Sequence, residues 1–177
     1  MRITSGVLKG KRLVYPGSGL RPTKEMTRQA IFNILGEKVT GARVCDLFAG
    51  TGALGIEAIS RGAVEAVFVE KDGKVLRFLK ENVAGLKNVR IIRGDVFKVV
   101  PKLKEAEFDI VFADPPYSRG LAKRLIEVVA HNRLVKTGGI LVIEHSQKDL
   151  PDAPEDWEKI KTGVYGESMV TFFRRMK

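Results

Sequence analysis

From residue 42 onward the chain alternates short apolar runs with stretches of helical spacing. Residues 43–48 read as a strand, followed by a glycine-rich turn and a helix over 53–61, with Gly62 where a helix would stop. Residues 66–70 are a second predicted strand. In 74–83, Val75, Leu76, Leu79 and Val83 recur at helical spacing, and Gly85 follows. A third strand is expected over 89–93, a short helix near 97–103 and a fourth strand over 108–113. A helix over 121–131 and a fifth strand over 140–144 complete the alternation. The rhythm then changes. Residues 157–164 and 169–174 read as two strands joined through Tyr165-Gly166-Glu167-Ser168 with no helix between, which is a hairpin.

Alternating strands and helices imply an α/β fold, a mostly parallel sheet with helices on both faces. The terminal hairpin adds antiparallel pairing at one edge. In such sheets ligands bind beyond the carboxyl ends of the strands, near the point where strand order reverses. The residues just past each strand are therefore the candidates for chemistry.

A length of 177 residues suits one domain, and 44% hydrophobic residues suit an ordinary folded core. No apolar run approaches the ~20 residues of a membrane helix. The first residues lack the apolar stretch of a secretory signal. The single cysteine, Cys45, excludes an internal disulfide and a cysteine-based metal cluster, and neither His131 nor His145 has a partner at metal-ligand spacing. The expectation is a cytoplasmic monomer without metal. Charge changes the picture more. The chain carries a surplus of +10, and residues 1–40 hold six of it, with eight basic residues against Glu25 and Glu37. That segment reads as a basic arm facing a polyanion, with Lys9, Lys11, Arg12 and Arg28 as contacts.

The first strand runs into Asp46-Leu47-Phe48-Ala49-Gly50-Thr51-Gly52-Ala53-Leu54-Gly55. Gly50, Gly52 and Gly55 make G-x-G-x-x-G between a strand and a helix, and Glu70 ends the next strand. This points to an adenosine-containing cofactor, with Glu70 accepting from ribose hydroxyls. A tight turn without a ligand is the alternative. Asp46 beside the loop would repel a pyrophosphate and suits the ammonium of a methionine moiety, which favours S-adenosylmethionine over NAD. Asp95, after the third strand, can accept from an adenine amino group or cap the following helix, or both.

The fourth strand ends in Asp114-Pro115-Pro116-Tyr117. Two prolines stop the strand and stiffen the backbone, presenting the Asp114 carboxyl, the Pro115 carbonyl and the Tyr117 ring rigidly. An amino group on a base is planar, and its delocalised lone pair makes it a poor nucleophile. Two acceptors can hold its hydrogens and stabilise positive charge on the nitrogen, while the ring stacks on the base. The bland alternative is a turn with Tyr117 in ordinary packing. A base inside a duplex would have to be flipped out to reach these groups. The basic segment from Ser118 to Arg124, Arg119 included, reads either as a flap over the base or as an ordinary helix start.

D-x-F-A-G-T-G followed by D-P-P-Y resembles the class I S-adenosylmethionine-dependent amino-methyltransferases. Other blocks narrow the resemblance to the bacterial RsmD family, which methylates N2 of a guanine in 16S ribosomal RNA. They are Arg2-Ile3-Thr4-Ser5-Gly6 with Lys9-Gly10-Lys11, Arg21-Pro22-Thr23 with Arg28 and Phe32-Asn33-Ile34-Leu35, and Tyr165-Gly166 with Thr171-Phe172-Phe173-Arg174. The resemblance spans nearly the whole chain in order. It implies a Rossmann-like seven-stranded sheet, S-adenosylmethionine as donor, S-adenosylhomocysteine as product, and 16S ribosomal RNA or the small subunit as partner. It also implies a division into a basic extension over 1–40 and a methyltransferase domain over 41–177. By matching position, the cofactor site would take Asp46, Phe48, Gly50, Thr51, Gly52, Glu70, Lys71, Asp95, Val96 and Asp114. Arg21 and Thr23 would close over the methionine end. Catalysis would fall to Asp114, Pro115 and Tyr117, and RNA contact to Lys9, Lys11, Arg12, Arg28 and Arg119.

Three rivals remain. An adenine-N6 DNA methyltransferase shares D-P-P-Y, but 177 residues leave little room for a DNA-reading domain. An NAD-dependent dehydrogenase has no use for D-P-P-Y. A non-catalytic RNA-binding protein has no use for Asp114.

Overall fold

The computed structural model describes residues 1–17, 25–103, 106–117, 120–149 and 151–177. The expected roles of Arg21, Thr23 and Arg119 fall outside these residues. Strands β1 (Arg43–Leu47), β2 (Glu65–Glu70), β3 (Val89–Arg93), β4 (Phe108–Ala113), β5 (Val135–Ser146), β6 (Trp157–Tyr165) and β7 (Ser168–Arg175) form one sheet in the order β3-β2-β1-β4-β5-β7-β6. The first five in that order pair in parallel. The β6–β7 hairpin lies antiparallel against β5. The sheet is the Rossmann-like arrangement, with its switch of strand order between β1 and β4.

Helices α1 (Glu25–Leu35), α2 (Ala53–Ser60), α3 (Gly73–Val83), α4 (Val96–Val99) and α5 (Leu121–His131) cover both faces. Side chains of a strand alternate between faces, so a doubly covered sheet needs apolar residues on both. Val44, Ala66, Phe68, Ile110, Phe112 and Phe172 face one core, with α1, α2 and α3. Cys45, Leu47, Val67, Val69, Val111 and Phe173 face the other, with α4 and α5. No described helix is long and apolar enough to cross a membrane.

Two elements go beyond the sequence reading. Helix α1 buries Thr27, Arg28, Ile31, Phe32 and Leu35. These positions have helical spacing, but two of them are polar, so the apolar stripe is broken. Strand β5 begins at Val135, five residues before the expected start. Its first half carries Lys136, Thr137 and two glycines, and pairing with β4 shifts register between Phe108 and Ile110. A polar, glycine-bearing stretch does not read as a strand, yet pairing recruits it.

The first residues form a narrow antiparallel ribbon. Ile3 N–H donates to Lys11 O (3.0 Å) and Leu13 N–H to Met1 O (3.0 Å). Ile3 and Leu13 are buried in the same core as Ile31, Phe32 and Leu35. Gly6 presses this ribbon onto α2. With φ +82°, a Cβ there would lie 1.7 Å from Ser60 O. Glycine alone permits that approach, and Val7 N–H donates to the same carbonyl at 2.8 Å.

Arg28 does not face RNA as the sequence reading expected. Its side chain is fully buried, with Nε 3.1 Å from Glu57 Oε2 and further donations to Arg2 O and Met1 Sδ. A long cation on a helix near a basic segment reads as a surface contact, whereas Glu57 on α2 draws it inward. Lys9 and Arg12 are exposed, and Lys11 is half-buried.

Candidate active site

The carboxyl ends of the central strands open on a cleft of about 420 Å³. Asp46 and Phe48 line it at the end of β1, followed by Gly50 and Thr51 in the turn. Glu70 and Lys71 line it after β2, and Val96 after β3. Asp114, Pro115 and Tyr117 line it after β4. Ten residues from the sequence reading thus share one wall.

The turn after β1 is held by hydrogen bonds rather than by glycine alone. Phe48 adopts φ +58°, a left-handed conformation uncommon for a bulky side chain. Ala49 N–H donates to Val69 O at 3.0 Å and Gly50 N–H to Glu70 Oε2 at 2.9 Å. The other Glu70 oxygen accepts from Asp72 N–H at 2.8 Å. Glu70 therefore shapes the loop, and each carboxylate oxygen keeps a second lone pair for a ligand. Gly52 is not part of the wall. A Cβ on it would come within 2.5 Å of Leu79 Cδ1, and one on Gly55 within 2.3 Å of Phe68 Cε1. Both glycines serve close packing of α2 on β2 and α3.

Asp46 is almost wholly buried, and its Oδ2 accepts from Gly55 N–H at 2.9 Å in the first turn of α2. Burial pushes its carboxyl well above the usual range. The Gly55 hydrogen bond opposes that shift, and the Asp114 and Glu70 charges add to it. The Asp46 carboxyl thus has two like charges near it, and a bound cation would favour its ionised form. Asp95 caps α4, accepting from Phe97 N–H at 2.9 Å, while its neighbours Gly94 and Val96 line the cleft.

Pro115 is buried, Asp114 half-buried, and Tyr117 is 49% exposed. The Tyr117 hydroxyl donates to Glu144 Oε1 at 2.8 Å and shares a second hydrogen bond with Ser168 Oγ. Burial raises the phenol to about 12; the Ser168 hydrogen bond opposes the shift and Glu144 reinforces it. The phenol therefore stays protonated at neutral pH and serves as a donor. Beyond the two undescribed residues that follow, Asp149 accepts from Gly120 N–H and Ala122 N–H at 3.1 and 3.2 Å, fixing the start of α5.

Thr27, Glu144, Tyr165 and Ser168 also line the cleft and were not assigned to it from the sequence, where Tyr165 and Ser168 were read only as part of the closing hairpin. Glu144 ends the apolar run of β5, so the rule that residues just past each strand carry chemistry could have found it. His145, for which the sequence offered no metal-ligand partner, is buried in a structural role, with its ring nitrogens 2.9 Å from Ser146 O and 2.8 Å from Thr171 Oγ1. Cys45 lies buried in β1, and burial pushes its thiol up, away from reactivity. Among the described residues, no group of three or more His, Cys, Asp or Glu side chains could hold a metal ion.

Residues 1–174 match the family model described as Conserved hypothetical protein 95. Ribosomal RNA small subunit methyltransferase D of Escherichia coli strain K12 is 34% identical, over 99% of this chain and 90% of its own length. Its namesake from Haemophilus influenzae is 33% identical over 94% of this chain and 89% of its own. The solved structure of yhhF from Escherichia coli superposes with a TM-score of 0.88 at 32% identity, covering 99% of this chain and 98% of that one. Matched by the family model over residues 1–174 and by these relatives over nearly its full length, the chain belongs to the RsmD family of small-subunit ribosomal RNA methyltransferases.

Proposed function

We propose that this chain transfers a methyl group from S-adenosylmethionine to the exocyclic N2 of a guanine in 16S ribosomal RNA. One observation carries the reading. Asp114-Pro115-Pro116-Tyr117 leaves β4 into the same cleft that Asp46, Gly50, Glu70 and Val96 line. The acceptors for an amino group and the acidic wall suited to a cationic cofactor thus face one space. The names of the relatives support ribosomal RNA as substrate.

The residues present fit S-adenosylmethionine. Asp46 would accept from its ammonium, Glu70 from its ribose hydroxyls and Asp95 from its adenine amino group, beside the Gly50 and Thr51 backbone. When bound, it supplies a methyl group on a sulfonium that is reactive enough for a weak nitrogen nucleophile, and it leaves as S-adenosylhomocysteine. The chain supplies alignment and electrostatics. Tyr117 offers a half-exposed ring on which a splayed-out base stacks. The Asp114 carboxylate and Pro115 carbonyl accept the two amino hydrogens, turning the nitrogen toward the methyl donor. As the nitrogen gains positive charge, the Asp114 carboxylate stabilises it, and the methylated nitrogen then sheds its surplus proton to solvent to give the neutral product. Lys9, Lys11 and Arg12 on the N-terminal ribbon contact phosphates and position the RNA.

The test supplies labelled S-adenosylmethionine with 16S RNA, small subunits and duplex DNA in parallel, then identifies the methylated nucleoside. N2-methylguanosine from RNA or subunits is expected, and N6-methyladenine from DNA would replace this reading with its rival. Asp114→Ala should lower methyl transfer at least ~100-fold while calorimetry shows cofactor affinity largely retained. Activity near the parent level would remove Asp114 from the chemistry.

A further inference from the structure

Glu144 divides its carboxyl group between two situations. Its Oε1 accepts from the Tyr117 hydroxyl at 2.8 Å. Its Oε2 is buried and has no hydrogen-bond partner; among the described residues no other buried side-chain oxygen or nitrogen is left in this state. Buried acceptors are nearly always satisfied, and an orphan at a cleft wall calls for a donor from whatever fills the cleft. The residue lines the same cleft as Asp114 and Pro115. The last torsion of a glutamate is broad, so the carboxylate can turn toward a ligand without moving the chain.

The proposed substrate has such a donor. In guanine the N1–H lies next to the 2-amino group on the same edge. If Asp114 and Pro115 hold the amino hydrogens, the neighbouring N1–H needs an acceptor from the same wall. Adenine has a bare nitrogen lone pair at N1, which a carboxylate repels. We propose that Glu144 selects guanine by accepting its N1–H through Oε2, while Oε1 and Ser168 keep the Tyr117 ring in stacking position. The assignment rests on the guanine-N2 reading above and adds to it the group that recognises the base.

The experiment compares two RNAs that differ only at the nucleotide receiving the labelled methyl, one carrying guanine and the other 2-aminopurine. The analogue keeps the 2-amino group and lacks N1–H. The wild-type chain should favour guanine in kcat/KM by about 100-fold or more, because a site that hydrogen-bonds a donor rejects the analogue lacking it. In Glu144→Gln the amide can turn its NH2 toward the bare N1, so the preference should shrink to within about threefold. Tyr117→Phe should slow both substrates alike and keep the preference. Cofactor titration and an unfolding midpoint for each variant separate these effects from misfolding. A wild-type chain that methylates the 2-amino group of both RNAs equally well overturns this inference and leaves the guanine-N2 reading standing. Glu144→Gln behaving like Tyr117→Phe also overturns it, since Glu144 would then act only by positioning the tyrosine. A wild-type chain that modifies no guanine amino group removes both.

Discussion

Asp46 sits with its carboxyl out of water, one oxygen on Gly55 N–H and the charges of Asp114 and Glu70 nearby. Burial is the main reason its proton is held well above the ordinary carboxylate value of about 4. The sign follows. In the window above that value the folded protein retains a proton that the unfolded chain has released, so ionising Asp46 costs stability as pH rises. A cation bound against Asp46 reverses the balance by favouring the carboxylate. Cofactor binding should therefore release a proton in this window, and affinity should rise with pH until Asp46 is ionised in the free protein. Asp46→Asn should weaken binding at least ~10-fold and abolish the proton release, because the amide no longer attracts the ammonium. Calorimetry in buffers of different ionisation enthalpy reads both effects, and proton release that persists in the variant would assign it to another group.

At the scale of elements, the N-terminal ribbon, α1 and α2 are tied together by one carboxylate. Glu57 accepts from Thr4 Oγ1 at 2.6 Å, Thr4 N–H at 3.0 Å, Ser5 N–H at 3.1 Å, Arg28 Nε at 3.1 Å and Arg61 Nε at 2.9 Å. Burial alone would raise its carboxyl, but the Thr4 hydrogen bonds, with Arg61 and Arg28, outweigh it and hold the group below its usual value. Its stabilisation is therefore present above the ordinary carboxylate range and is lost as pH falls through the depressed value. Glu57→Gln leaves a buried arginine without its counter-charge and should cost about 3–5 kcal/mol in urea unfolding near neutral pH. The variant should also lose that part of the acid sensitivity, so the two stability curves should converge on acidification. Parallel curves would mean that another carboxylate dominates the acid limb. This network was not legible in the sequence. Glu57 lies on a predicted helix with nothing to mark it, and its partners at positions 4, 5 and 28 are brought near only by the fold. The strands were legible because a doubly covered sheet writes its burial directly as apolar runs, as in Glu65–Glu70 and Phe108–Ala113. The cleft was legible where residues follow such runs, as with Asp46, Glu70 and Asp114. Glu144 ends an apolar run in the same way and was passed over because no glycine turn or proline pair follows it, β5 itself continuing to Ser146.

Across the whole molecule, charge and fold divide the work. Residues 42–177 contain all seven strands, while residues 1–40 hold most of the positive surplus. The ribbon that carries Lys9, Lys11 and Arg12 cannot swing freely, because Gly6, Ser60 and Glu57 fasten it to α2. Nor is Arg28 available to a phosphate, so the basic contact narrows to the three ribbon cations among the described candidates. Cations fixed on a docked element bind phosphates with little ordering cost, and each phosphate contact releases about 0.7–0.9 counterions depending on whether the RNA is single- or double-stranded. Reversing Lys9, Lys11 and Arg12 to glutamate together should weaken RNA binding and reduce the slope of log affinity against log salt by about 2–3. Cofactor affinity should not change, because none of the three lines the cleft. Arg28→Ala provides the contrast: it should lower the unfolding midpoint and leave the salt slope of the folded fraction intact. Filter binding across a salt series measures both slopes. If reversing the three ribbon cations leaves the slope as it was, the RNA approaches over another face, and the ribbon's charge is then solvated surface on an element whose work is to buttress α2 behind the cleft.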